Sequence, residues 1–184
     1  FDLLSREFAH TRRKNLLLRD LDELVNQQLA KMLFANPQRI DYYDRYQEII
    51  DAYNAEQNRA TIEKTFMDLM ELANSLDTEQ QRYVREGFSS DEELSVYDLL
   101  FSENLTKQEI ETIKKVSVDL LTKIKQQIAK LDHWTDKQET KAIVDNLIRN
   151  TLWQELPNSY DVNDIQTYQK KIYEYVYMRY PEVA

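Results

Sequence analysis

Few residues of this chain have the types and spacing that chemistry needs. The two histidines, His10 and His133, lie far apart. Neither has a second histidine or a carboxylate at the spacing of a metal ligand, so a catalytic zinc site is not expected. The triplet Glu139-Thr140-Lys141 matches the E-x-K half of a metal-dependent nuclease signature, in which carboxylates hold a divalent ion and a lysine positions the attacking water. It lies in helical sequence with no Pro-Asp partner before it, and we interpret it as a chance match.

Other kinds of active site find no better support. A phosphate-binding loop needs several glycines and a dinucleotide fingerprint needs three, but the chain has one glycine, Gly87. Acidic residues cluster in two places, at Asp20, Asp22 and Glu23 and at Asp91, Glu92 and Glu93. These clusters could pair for acid–base catalysis, but solvated helix faces and acids in first helical turns explain them better. We therefore predict no catalytic, cofactor-binding or metal-binding residue in this chain.

Two groups of basic residues are candidates for DNA contact. Arg12, Arg13 and Lys14 are adjacent, and a second group shares one helix face because its members are seven and eleven residues apart: Lys107, Lys114 and Lys125. Glu111 borders the second group. The formal net charge of −9 and a pI near 4.8 disfavour a general attraction to phosphate. DNA contact by these six residues is a hypothesis about local patches only.

Four aromatic residues lie at the edges of the apolar stripes or beyond them: Trp134, Trp153, Tyr173 and Tyr177. Tyrosine and tryptophan are enriched at interface hot spots, so these residues are candidates for contact with a partner. The alternative is that each closes the core of its own domain, which is a common role of aromatics in packed helices.

The spacing of apolar residues predicts helices through almost the whole chain. Between Asn36 and Leu76 they recur every three or four positions, at Ile40, Tyr43, Tyr46, Ile50 and Tyr53 and then from Ile62 onward, as in amphipathic helices. One glycine and three prolines leave almost no residues for hairpin turns. The predicted fold is an all-α multi-helix bundle.

Helix ends can be predicted from capping residues. After a break near Asn58, Thr61 is a candidate start for a helix that continues to Gly87. Ser90 is a predicted start, and Thr106 with Glu109 fits a capping box. The final helix is expected from about Asp161.

The acidic segment from Asp77 to Glu103 also holds the only glycine, and we place a domain boundary in it. Residues 1–87 are then a helical-domain segment and residues 88–184 a C-terminal helical domain, two sub-bundles joined by an acidic linker. The chain has no cysteine and no apolar run near the roughly 18 residues of a membrane span. We expect a soluble, cytoplasmic protein with no membrane contact. Because Phe1 opens in helical sequence, we expect a part of something longer.

Seven blocks of sequence, in order, carry a family resemblance. They are RDLDELVNQQLAKML at 19–33, NPQRIDYYDRYQEIIDAYN at 36–54, RATIEKTFMDLMELANSLD at 59–77, DEELSVYDLLF at 91–101, LTKQEIETIKKVSVDLLTKIK at 105–125, LWQELPNSY at 152–160 and YQKKIYEYVYMRYP at 168–181. Together they resemble the C-terminal part of the R subunit of type I restriction endonucleases. None of the blocks is a catalytic motif.

The resemblance implies a parent that is a bacterial or archaeal motor protein. Such a subunit has a nuclease domain, two ATP-driven helicase lobes, a helical domain and a C-terminal helical domain, and it joins a methyltransferase and specificity core. This chain would be the end of the helical domain plus the C-terminal domain. ATP and Mg²⁺ are then cofactors of the parent, and none is expected here.

The implied partners are the methyltransferase and specificity subunits, the rest of the R subunit and, at most indirectly, DNA. The implied role is assembly with that core and coupling to the motor. Two alternatives come from other classes: a free-standing helical adaptor unrelated to restriction, and a helical DNA-binding module. The last predicts strong, salt-sensitive DNA binding by the isolated chain.

Overall fold

The computed structural model describes residues 2–11, 13–56 and 58–181. Over these residues the chain forms nine α-helices and one short 3-10 helix, with no strand, which confirms the predicted all-α fold. The chain divides into two compact units, Phe1–Arg82 and Tyr83–Ala184. The predicted assignment of residues 1–87 and 88–184 to two domains of a parent subunit stays a prediction.

The first unit is built around its last helix. Its elements are α1 (Asp2–His10), α2 (Lys14–Ala35), a 3-10 helix (Pro37–Arg39), α3 (Ile40–Ala55) and α4 (Arg59–Gln80). Helix α4 packs against both α2 and α3, and its inward residues, among them Phe66, Leu69 and Leu76, are fully buried. The ring of Phe8 stacks on Phe66 with centroids 3.7 Å apart, so α1 is part of the same core.

The second unit is a closed four-helix bundle. After the short helix α5 (Arg82–Arg85) come α6 (Asp91–Leu100), α7 (Lys107–Ile128), α8 (Gln138–Glu155) and α9 (Val162–Arg179). Each helix packs on the next, and α6 packs on α9, which closes the ring. Short connections between successive helices give the antiparallel arrangement of an up-down bundle.

Three helix starts, at Ser90, Thr106 and Asp161, follow the predicted capping chemistry. The side chains of Ser90 and Asp161 accept hydrogen bonds from the third backbone amide of their helices. Thr106 and Glu109 form the reciprocal bonds of a capping box. The prediction for Thr61 was wrong: Asn58 caps α4, and its side chain accepts a hydrogen bond from the Thr61 amide. Asparagine at this position is the better acceptor because it lies three residues before that amide.

The predicted continuation of α4 to Gly87 was also wrong. Helix α4 ends at Gln80, and α5 makes one separate turn before Gly87. Gly87 does have the predicted left-handed conformation, with φ of 85°. No proline or glycine lies between Gln80 and Arg82, so no residue type in the sequence indicates that the helix ends there.

The apolar stripes were predicted one position off in places. In α2 the apolar spacing predicts a stripe that includes Leu17 and Leu24, but Leu18 is buried instead of Leu17, and Leu24 is 51% exposed. Ile40 and Tyr43 of α3 and Ile143 of α8 also reach solvent. The first-unit helices bury narrow faces against α4, so residues at a stripe's edge lie outside the core.

A polar cluster lies where α6 begins and α9 ends. The ammonium of Lys125 pairs with the carboxylate of Glu92 and lies 5.2 Å from the ring centroid of Tyr180. Partial burial by itself raises the pKa of Glu92, but the hydrogen bond from Lys125 and the charges of Lys125 and Arg179 outweigh it, so the pKa of Glu92 is lowered. The pair therefore links α6 to α7 near the end of α9.

The lowered pKa of Glu92 predicts acid sensitivity of the second unit. A carboxyl whose pKa is lower in the folded state contributes stability above its unfolded pKa of about 4.3, and this contribution is lost as pH falls through the folded pKa. Between about pH 5 and pH 3 we expect the free energy of unfolding to fall in the wild type and to fall less in Glu92→Gln. The difference between the two falls should be about 1 kcal/mol or less. Urea unfolding at each pH measures this. The control is Glu103→Gln, an exposed glutamate of the same unit, and an equal change in both variants would contradict the prediction.

None of the helices in the described residues is both long enough and apolar enough to cross a bilayer.

Candidate interaction surface

The first basic group is divided between solvent and the fold. Arg12 lies outside the described residues. Arg13 is exposed just before α2, and its backbone amide donates to the Thr11 hydroxyl at 3.1 Å. The Lys14 ammonium pairs with the Glu63 carboxylate and lies 5.1 Å from the ring centroid of Phe8. Lys14 thus helps to hold α2 against α4.

The second basic group lies along α7, where glutamates hold two of its three members. Lys107 is exposed in the first turn of the helix. The Lys114 ammonium is 3.0 Å from both the backbone carbonyl and a carboxylate oxygen of Glu86, and Lys125 pairs with Glu92. DNA contact by the six basic residues stays a prediction, and ion pairs inside each unit already hold Lys14, Lys114 and Lys125.

Trp134 closes the core of the second unit. It is 1% exposed, and its indole N–H donates to the backbone carbonyl of Tyr180 at 2.6 Å. The Thr140 hydroxyl donates to the Trp134 carbonyl at 2.7 Å, and His133 before it adopts φ of 45°, which turns the chain inward. Trp134 therefore closes the core of its own unit, which is the alternative to partner contact, because a partner could not reach a side chain this deeply buried.

Tyr173 and Tyr177 form an aromatic group with Trp134. Their ring centroids lie 6.2 Å and 5.7 Å from that of Trp134, at interplanar angles of 88° and 82°. Such edge-to-face pairs add to the stability that burial provides. The Tyr173 side chain is half-buried, while Tyr177 is 39% exposed. One side of this aromatic group therefore faces solvent.

A shallow cleft lies over the exposed side of this aromatic group. It has a volume of about 290 Å³ and is lined by Lys141 of α8 and by Tyr173, Glu174, Tyr177 and Met178 of α9. We call it the α8–α9 cleft. Its apolar rim is formed by Met178, which is 69% exposed. The Lys141 ammonium lies 5.7 Å from the ring centroid of Tyr177, a distance at which a cation and an aromatic ring attract each other.

The acidic groups around the cleft have partners of their own. The Glu174 carboxylate is 3.9 Å from the Lys170 ammonium one turn earlier. Asp145 of α8 accepts a hydrogen bond from the Gln169 amide at 2.8 Å. Burial, with smaller contributions from Asp145 and Tyr177, raises the pKa of Tyr173, so this phenol stays protonated at neutral pH. Among the residues that line the cleft, Lys141 is the one with a positive charge.

Trp153 stands apart from the cleft. It is 59% exposed on α8, about 18 Å along the helix from Lys141 at 1.5 Å per residue. Arg149, one turn earlier, donates a hydrogen bond to the Asn146 side chain at 2.8 Å. Helical spacing places Asn146, Arg149 and Trp153 on the solvent-facing side of α8. Trp153 thus presents its indole to solvent.

Other surface features have less of the character of a binding site. A wider depression of about 580 Å³ lies between Gly87 and α7, and its lining mixes Glu86, Glu111 and Asp119 with lysines. Among the described residues no three histidine, cysteine or carboxylate side chains gather as a metal site requires. The α8–α9 cleft combines an aromatic floor with an exposed apolar rim.

The sequence identifies Tyr173 and Tyr177 as candidate residues but not the other three that line the cleft, Lys141, Glu174 and Met178. In the sequence, Lys141 stands out only as the last residue of the E-x-K triplet, and Glu174 and Met178 belong to no motif. The available signal for Met178 was that it lies off the apolar stripe of α9, whose buried members are Ile165, Ile172, Tyr175 and Val176.

By fold and by site, the chain is a two-unit helical protein whose second unit is a four-helix bundle with an aromatic surface cleft. Residues 2–180 match the family model described as type I restriction enzyme HindI endonuclease subunit-like, C-terminal, and the chain belongs to this family. The resemblance drawn from the sequence is thereby confirmed. Comparisons with curated proteins and with solved structures gave no significant match.

Proposed function

We propose that this region is a non-catalytic assembly element of a type I restriction R subunit. It docks the subunit onto the methyltransferase and specificity core and couples that core to the ATP-driven motor of the parent. Family membership supports the general setting, since the family is the C-terminal part of an endonuclease subunit. The nuclease and motor activities belong to other parts of the parent in this proposal.

The observation that carries the docking role is the exposure of large apolar side chains on the second unit. Trp153 is 59% exposed and Met178 is 69% exposed, while the core-facing residues of the same helices, such as Ile148 and Ile172, are fully buried. Exposed aromatic and thioether groups on a well-packed scaffold are typical of interface residues. A stiff helical bundle also transmits force between a motor and a core without rearranging its own packing.

Co-elution tests the proposal. The purified chain is mixed with the cognate methyltransferase and specificity complex and analysed by size-exclusion chromatography with light scattering. We expect a shared peak whose mass is the sum of the components. We also expect Trp153→Ala to weaken this complex at least tenfold, about 1.4 kcal/mol. Leu24→Ala, a change at a 51% exposed leucine of the first unit, is the control and should leave affinity unchanged.

Two results would contradict the proposal. The first is a chain that elutes separately from a core that is still intact and methylates DNA. The second is tight DNA binding by the isolated chain that weakens steeply with salt, as a DNA-binding module requires. In that second case, alanine at Arg12, Arg13 and Lys14 should reduce the DNA affinity.

A further inference from the structure

We infer that the α8–α9 cleft receives an apolar side chain flanked by a carboxylate, presented by a helix of the methyltransferase and specificity core. This inference rests on the proposed function and adds the position of the contact and the chemistry of the partner. It follows from the floor, the rim and the charge of the cleft.

The floor of the cleft is rigid. Tyr173 and Tyr177 lean edge-on against Trp134, and Trp134 is fixed by its bond to the Tyr180 carbonyl. Tyrosine has only two side-chain torsions, and packing already restricts these rings. A ligand that binds here therefore loses little free energy to ordering the site.

The rim of the cleft is apolar and adaptable. The rim residue Met178 is largely exposed. An unbranched thioether can adjust to the shape of an incoming side chain. The cleft volume of about 290 Å³ is at the lower limit of small-molecule sites, which begin near 300 Å³. A site of this size suits one or two protruding side chains better than a cofactor.

The charge of the cleft selects a carboxylate. Lys141 lines the cleft beside the Tyr177 ring, and in the described part of the chain no carboxylate lies within ion-pair distance of its ammonium. In an acidic protein, Lys141 is thus a cation at the edge of an apolar surface. Glu174 also lines the cleft, but its carboxylate is 3.9 Å from the Lys170 ammonium, on the side away from Lys141 along α9. A partner residue with a negative charge would complete the Lys141 site as the apolar anchor fills the cleft.

A helix presents such a pair of groups readily. Residues three or four positions apart lie on one helix face, so an apolar anchor and an acidic residue one turn away would reach the floor and Lys141 together. Docking of a helix through anchors at this spacing is a common mode of recognition.

Charge and polarity substitutions in the cleft test the inference. The affinity of the chain for the cognate methyltransferase and specificity complex is measured by titration calorimetry for the wild type, Lys141→Glu and Met178→Glu. We expect each variant to raise Kd at least tenfold. Wild-type binding should weaken as salt is raised, and Lys141→Met should lose much of this salt dependence.

Matched controls carry the same changes elsewhere. Lys107→Glu alters an exposed lysine of the same unit, and Met67→Glu alters a methionine that is 61% exposed in the first unit. Both should keep Kd within about twofold of the wild type, since surface changes outside an interface have small effects. Circular dichroism of every variant confirms that the helical content is unchanged.

The outcomes separate the two proposals. Tight wild-type binding that both cleft variants leave unchanged overturns the cleft and leaves the docking function standing. If Met178→Glu raises Kd and Lys141→Glu does not, the apolar contact stands but the inference of an acidic partner residue is overturned. Loss of DNA affinity in Lys141→Glu with unchanged binding to the core would make nucleic acid the occupant and overturn the inference. Absence of wild-type binding overturns both proposals.

Discussion

Replacing Trp134 with alanine is expected to lower the free energy of unfolding of the second unit by about 3–5 kcal/mol. The substitution removes a side chain that is 1% exposed and leaves a cavity where the α7–α8 turn meets the end of α9. It also removes the hydrogen bond to the Tyr180 carbonyl and the surface against which Tyr173 and Tyr177 pack. The cavity is costly because the surrounding helices can collapse only partly around it. The lost hydrogen bond and ring contacts add to this destabilisation.

Urea unfolding followed by far-UV circular dichroism measures this effect. The control is Trp153→Ala, the same change at an indole that is 59% exposed, which should alter stability by about 0.5 kcal/mol or less. Both tryptophans lie in the second unit, so the fluorescence of the one that remains reports unfolding of that unit in either variant. Equal stability of the two variants would contradict the role of Trp134 in the core.

The helices were predictable because they depend on local signals. The capping box of Thr106 and Glu109, the cap at Ser90 and the left-handed Gly87 each follow from residues within one turn of one another. The end of α4 at Gln80 was not predictable in this way, because no helix-breaking residue marks it. The exposure of Leu24 likewise depends on how narrow a face α2 buries against α4, which is a tertiary property.

The candidate site was predictable in its residue types but not in its geometry. The sequence singled out both tryptophans, yet nothing local separates the buried Trp134 from the exposed Trp153. The difference arises from a turn at His133 and from a bond to a carbonyl 46 residues away. Long-range packing of this kind has no signature in a single sequence.

The basic residues illustrate the same limit. Lys114 and Lys125 share a face of α7 by spacing, but their glutamate partners lie 28 and 33 residues away. Counting charges could not show that these ammonium groups are held within the bundle. The absence of such a partner at Lys141, among the described residues, became visible only once the fold placed it beside Tyr177.

Replacing Glu79 with alanine is expected to lower the free energy of unfolding of the first unit by about 3–5 kcal/mol. The Glu79 carboxylate is 3.0 Å from Nε of Arg39 and 2.8 Å from Nε of Arg82. Arg39 is 4% exposed and Glu79 is 7% exposed, so water cannot replace the carboxylate at Arg39, whereas the Arg82 side chain is partly exposed. A buried positive charge would then lose the negative charge that balances it.

Glu71→Ala is the matched control for Glu79→Ala. Glu71 lies on α4, as Glu79 does, and pairs with Arg45 of α3 at 2.9 Å, but its side chain is 72% exposed, so its loss should cost about 1 kcal/mol or less. Thermal and urea unfolding followed by circular dichroism compare the two variants. Equal midpoints would show that the buried pair contributes no more than a surface pair.

The double variant Arg39→Met with Glu79→Leu separates the cost of an unbalanced charge from the value of the pair itself. Removing both charges and filling the space with apolar side chains avoids the desolvation of two ions, so we expect the double variant to regain most of the stability that Glu79→Ala loses. A double variant as unstable as Glu79→Ala would contradict this, and would mean that the bond geometry around Arg39 is itself required where the 3-10 helix meets α3 and α4. Recovery would indicate that the ion pair itself contributes little net stability, and that the loss in Glu79→Ala comes from the charge left without its partner.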